Sequence, residues 1–89
     1  MDQATQVEEI KVDGEEVRVR FRMRFRDSKR KLCVHVKTFS QTISPDNVGA
    51  DGEPKTFHRI REELFTFARE YKIEMLARRP DAKILIYMI

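Results

Sequence analysis

Ten residues from Val17 to Arg26 read Val-Arg-Val-Arg-Phe-Arg-Met-Arg-Phe-Arg, a strict alternation of apolar and cationic side chains. Successive side chains of a β-strand point to opposite faces. A strand here puts Val17, Val19, Phe21, Met23 and Phe25 on one face and Arg18, Arg20, Arg22, Arg24 and Arg26 on the other. A helix would scatter the arginines around its cylinder and leave no apolar stripe. The run therefore demands a sheet with one buried face, and the flanking chain must supply the partner strands.

Upstream, Val7 to Val12 alternates weakly and ends at Asp13-Gly14, a dipeptide suited to the positive φ angles of a type I′ hairpin turn. That hairpin would set Ile10 opposite Val17 and Glu9 opposite Arg18. Downstream, Asp27-Ser28-Lys29-Arg30 forms a polar tip, followed by a strand from about Lys31 to Thr38 or beyond. Tight closure of the tip pairs Arg26 with Lys31, Phe25 with Leu32, Arg24 with Cys33, Met23 with Val34, Arg22 with His35 and Arg20 with Lys37. In this register apolar residues meet apolar residues on one face. The other face collects Arg20, Arg22, Arg24, Arg26, Lys31, His35 and Lys37 around Cys33, with Lys29 and Arg30 at the tip.

Residues 41–55 contain Gly49, Gly52, Pro45 and Pro54 and read as a long loop. Phe57 to about Lys72 carries Phe57, Ile60, Leu64, Phe67, Ala68 and Tyr71 at helical spacing, with Thr56 as N-cap and Phe65 off the stripe. From Lys72 to Arg79 the chain can extend the helix, with Met75 continuing the stripe, but the alternation of Tyr71, Ile73 and Met75 with Lys72, Glu74 and Leu76 favours a short strand at 73–78. A Pro80-Asp81 turn follows, then an apolar strand from Lys83 to Ile89. Such a strand, apolar on both faces, belongs at the centre of a sheet or in a dimer.

The expected architecture is α+β and two-layered: a mainly antiparallel sheet made of a three-stranded meander and one or two C-terminal strands, with one helix over one face. The 89 residues suit a single small domain, with residues 1–5 disordered.

The charge distribution is strongly polarised. Residues 1–16 carry six acids and one lysine, whereas residues 17–37 carry nine bases and one acid. At 40% hydrophobic and 37% charged, the chain is too apolar for disorder and too charged for a membrane protein. It has neither a spanning apolar run nor the basic and apolar regions of a signal peptide. With one cysteine it has no internal disulfide framework. A cytoplasmic or nuclear setting is expected.

No catalytic constellation emerges. Cys33 and His35 lie two apart on one strand, but nothing supplies an oxyanion hole or an orienting group. Two histidines and one cysteine without metal-ligand spacing predict no metal site, and three scattered glycines make no phosphate loop, so no cofactor is expected. Asp27 lacks the partner acid of a nuclease centre, because His35 stands two residues before Lys37.

The functional lead is the basic face: Arg20, Arg22, Arg24, Arg26, Lys29, Arg30, Lys31, His35 and Lys37 as contacts to nucleic-acid phosphates. Cations in a row gain affinity by releasing condensed counterions, and arginine chelates phosphate oxygens and stacks on bases. Phe39 and Tyr87 are candidate stacking platforms. Two alternatives stand beside it. One is a small interaction module or inhibitor docking on an acidic protein surface, with a homodimer formed through Lys83–Ile89. The other is a solvated charged strand that guards against aggregation.

Overall fold

A computed structural model of the chain describes residues 15–89. The hairpin expected at Val7–Val12 with its Glu9–Arg18 pair, and the disorder expected of residues 1–5, lie outside the described residues. Strand β1 spans Glu16–Arg26, β2 Leu32–Thr42, helix α1 Phe57–Arg78 and β3 Lys83–Met88. The strands form one antiparallel sheet in the order β2-β1-β3, with α1 packed on one face. This is the α+β, two-layer architecture that the patterning predicts.

β1 holds the centre, and its apolar residues Val17, Val19, Phe21 and Met23 are buried. Each such side chain contributes about 1.5–3 kcal/mol on leaving water. From α1, Ile60, Leu64 and Ala68 cover Val17 and Val19, and Met75 covers Phe21 and Met23. Ile84, Ile86 and Met88 of β3 complete the layer from the side. The central position expected for β3 is thus held by β1. Because β2 follows β1 through a short turn and takes one of its edges, the chain returning from α1 finds the other edge, where Val19 pairs with Met88 and Arg24 with Lys83.

The strand expected at 73–78 is not there: this segment is the last part of α1. Ile60, Leu64, Ala68, Tyr71 and Met75 recur every three or four residues, and Met75 is buried under β1 while Ile73 is 71% exposed. A 22-residue helix is about 33 Å long, close to the roughly 36 Å of the 11-residue β1. The longer helix therefore covers the whole central strand. It stops where Pro80 forces the preceding Arg79 out of helical geometry (φ −139°). At the other end Thr56 Oγ1 accepts from the Arg59 amide at 3.1 Å, the expected N-cap.

The stripe itself is narrower than the spacing implies. Phe57 and Phe67 are nearly half exposed, whereas Phe65 is half-buried and packs on the core of Val17, Val19, Ile60, Leu64 and Ala68. A three-stranded sheet shields only a narrow stripe along the helix.

The connection 43–56 is tied down along its length. Ser44 to Asn47 forms a turn, and the Asn47 amide side chain donates to Gln41 Oε1 (3.1 Å) and the Thr42 carbonyl (2.9 Å). Lys55 Nζ meets Glu63 at 2.7 Å, and Gln41 donates to the same carboxylate at 3.0 Å. These hydrogen bonds, that of Lys55 first, hold the Glu63 carboxyl below its ordinary range. The Arg59 guanidinium, paired with Asp51 at 3.3 Å, lies against Gly49 where a Cβ would collide with it. A side chain at this position would require the Arg59 guanidinium to move.

Candidate nucleic-acid interface

The arginines of β1 stand on the sheet face that α1 leaves open. Alternate residues of a strand are about 6.6 Å apart, so Arg20 to Arg26 forms a cationic row of roughly 20 Å. Arg18 is answered by Glu16 at 3.6 Å. Among the described residues, no carboxylate lies within ion-pair distance of Arg20, Arg22, Arg24 or Arg26. Arg20 sinks between its neighbours, and its Nε is buried with no hydrogen-bond partner. Arg26 donates to the Arg30 carbonyl at 3.1 Å, which ties the end of the row to the tip.

The β1–β2 register differs by one residue from the tight closure. Arg26 pairs with Leu32, Arg24 with Val34, Arg22 with Val36 and Arg20 with Thr38. The turn decides this. The Asp27 amide donates to the Lys31 carbonyl at 3.0 Å, leaving Ser28-Lys29-Arg30 as a three-residue loop in which Arg30 takes a positive φ of 64°. Such loops end in a left-handed residue. Asp27 Oδ1 accepts from the amides of both Lys29 (2.8 Å) and Lys31 (2.9 Å), fixing the loop. Hydrophobic patterning specifies register only where a face is buried, and no residue of β2 is buried. On this strand the turn outweighs the apolar pattern.

The consequence is a correction to the expected site. His35 and Lys37 lie on the helix side of the sheet, across from Met23 and Phe21, and not beside the arginines. There they have partners: His35 Nε2 is 2.7 Å from Tyr71 Oη, and Lys37 Nζ sits 5.1 Å from the Tyr71 ring centroid and 5.6 Å from that of Phe39. Cys33 is on the same side, its Sγ 4.0 Å from Asp27 Oδ2. Phe39 also turns to the helix and packs on the core, which removes it as a platform for bases. Arg20, Arg22, Arg24 and Arg26 stay together, and Lys29, Arg30 and Lys31 extend them as an exposed cationic tip.

In place of His35 and Lys37, the open face gains apolar rails, of which the β2 residues were expected in the core and Tyr87 as a stacking platform. Leu32, Val34 and Val36 flank the arginines on the β2 side, each about half exposed. On the β3 side Leu85 stands opposite Arg22 and Tyr87 opposite Arg20, while Lys83 stands opposite Arg24. The only advance signal was the unbroken apolar composition of β3, which supplies both faces. The turn that reverses β2 left no comparable trace.

Comparison with protein-family models, curated proteins and solved structures finds no match. The interface is accordingly read from its own geometry. Like charges directly opposite one another, as at Arg24 and Lys83, destabilise a sheet, and a bound anion relieves that repulsion. Among the described residues, no helix is long and apolar enough to cross a membrane.

Proposed function

We propose that this protein binds nucleic acid through the open face of its sheet, with Arg20, Arg22, Arg24 and Arg26 on phosphates and Lys29, Arg30 and Lys31 extending the contact at the tip. The observation that carries this reading is the row of four arginines, unanswered by carboxylates among the described residues, on the central strand of an uncovered sheet. The apolar rails favour a single strand over a duplex. A single strand offers unstacked bases to Tyr87, Leu85, Val34 and Val36 while its phosphates follow the arginines. A duplex keeps its bases inside and has no use for flanking valines and leucines. The role is binding without a catalytic step, in the cytoplasm or nucleus.

Labelled single- and double-stranded oligonucleotides titrated by fluorescence anisotropy test this. Four phosphate contacts to a single strand give a slope of log K on log salt of about −3. Replacing Arg22→Glu and Arg24→Glu together abolishes binding while the far-ultraviolet spectrum stays that of the parent. A folded protein that binds no oligonucleotide at low salt overturns the reading.

One observation favours a second reading, a protein-interaction module that pairs with its own copy. From Ile84 to Ile89 the edge strand β3 carries no charge, and Leu85 and Ile89 are more than half exposed. Edge strands without charge invite further pairing. A concentration-dependent dimer in analytical ultracentrifugation, dispersed by Leu85→Lys, would support it; a monomer throughout would exclude it.

A further inference from the structure

The arginine row does not end in open solvent. At its Arg26 end lies a cleft of about 470 Å³ between the end of β1 and the turn joining α1 to β3. Five cations line it: Arg24 and Arg26 from the row, Lys83 from the start of β3, and Arg78 and Arg79 from the end of α1. The lining includes one acid, Asp81. Arg78 is paired with Glu74 at 3.1 Å, whereas the other four cations have no carboxylate within ion-pair distance among the described residues.

The wall opposite the row is built to hold its shape. Pro80 fixes the backbone after Arg79, and the Ala82 amide closes the turn on the Arg79 carbonyl at 3.1 Å. The Arg79 guanidinium lies over the Phe25 ring, 3.9 Å from its centroid. This cation–π contact restrains the guanidinium, whose N–H donors can serve phosphate oxygens.

We propose that this cleft receives a phosphate monoester, namely the terminal phosphate of the nucleotide at the end of a bound strand or of a free nucleotide. The inference rests on the nucleic-acid reading for its first source and is independent of it for the second. A terminal phosphate carries about −1.5 to −2 charge at neutral pH, against −1 for an internal diester. It gains correspondingly more from a cluster of cations than any phosphate along the row. The shared residues Arg24 and Arg26 make the cleft continuous with the row, so a strand following the arginines reaches it. Nucleotide-sized ligands occupy pockets of about 300–1,000 Å³, a range that includes this cleft.

The test compares one single-stranded oligonucleotide in three forms, with a 5′-phosphate, with a 3′-phosphate and with neither, and adds adenosine monophosphate and inorganic phosphate as free probes followed by amide chemical shifts. The expected result is binding at least five-fold tighter for one phosphorylated form, with the ratio falling toward one in Arg79→Ala and remaining reduced in Arg79→Lys, which keeps the charge without the fork. Amide spectra of both variants check that the fold is kept. Shifts of residues 78–83 with adenosine monophosphate, without any end preference among the oligonucleotides, support the cleft with a free nucleotide as its source. Equal binding of all three oligonucleotides with no shift from either free probe overturns the cleft and leaves the row intact. Shifts from the free probes without oligonucleotide binding would retain the cleft and remove the nucleic-acid reading.

Discussion

The two faces of the sheet are made by the same three strands and obey different rules. On the covered face every β1 residue from Val17 to Met23 is buried against α1, and the polar residues that β2 sends there are each engaged: His35 by Tyr71, Gln41 by Glu63, and Lys37 over two rings. On the open face the arginines of β1 have no carboxylate across from them among the described residues, and leucine and valine lie exposed at their sides. A face that had only to be soluble would have the opposite arrangement, with charges paired and aliphatic residues inside. Stability is satisfied on one side, and the other is the face for which we propose recognition.

Substitution of neighbouring residues tests how sharply the two faces divide. The largest effect is expected at Phe21, fully buried among Met23, Met75 and Tyr71. Phe21→Ala should cost about 3–5 kcal/mol in urea unfolding, whereas Arg22→Ala, one residue away on the open face, should stay within about 0.5 kcal/mol. Arg22→Ala should instead make the salt slope of oligonucleotide binding shallower by about 0.7. A comparable loss of stability at both positions would remove the distinction.

A smaller contrast lies at the end of α1. Met75→Ala should cost about 2–3 kcal/mol, because Met75 is buried beneath Phe21 and Met23. Ile73→Lys should be close to neutral, since its side chain is 71% exposed. If the two changes were equally harmful, the segment would not be helical and the covered face would end earlier.

The smallest effect concerns acid. Lys55 and then Gln41 hold the folded-state pKa of Glu63 below its ordinary value of 4.5. A carboxyl lowered in the folded state contributes stability that is fully present above the unfolded pKa and is lost as pH falls through the folded one. The chain should therefore lose a modest part of its stability below about pH 4.5, and Glu63→Gln should flatten that dependence. Both proteins can be followed by thermal melts between pH 3 and 7. Identical pH profiles would show that the tie between loop and helix contributes nothing measurable.

Much of the fold can be read from the chain because its strongest patterns are local. The alternation from Val17 to Arg26 dictates a strand with one apolar face, Thr56 starts the helix, and Pro80 with Asp81 separates helix from strand. The last segment of the helix is less legible, because Ile73 and Met75 fit period two as well as period 3.6. Only the length of β1, which needs a helix of matching length to cover it, favours one over the other. The candidate site divides the same way. Four arginines on one strand need no partner to share a face, whereas the assignment of His35 and Lys37 to that face depended on how β2 pairs.

The arginine row, the apolar layer beneath it and the α+β class are legible in the chain, since each follows from periodicities local to its segments. Tertiary structure decided the company the row keeps. The left-handed Arg30 and the doubly bonded Asp27 shift β2 by one residue, and because a strand's side chains alternate, that shift exchanges its two faces completely. Histidine and lysine move to the helix, and valine and leucine move beside the arginines. β2 has no buried residue to oppose the shift, so a turn of three residues settled what the hydrophobic pattern left open.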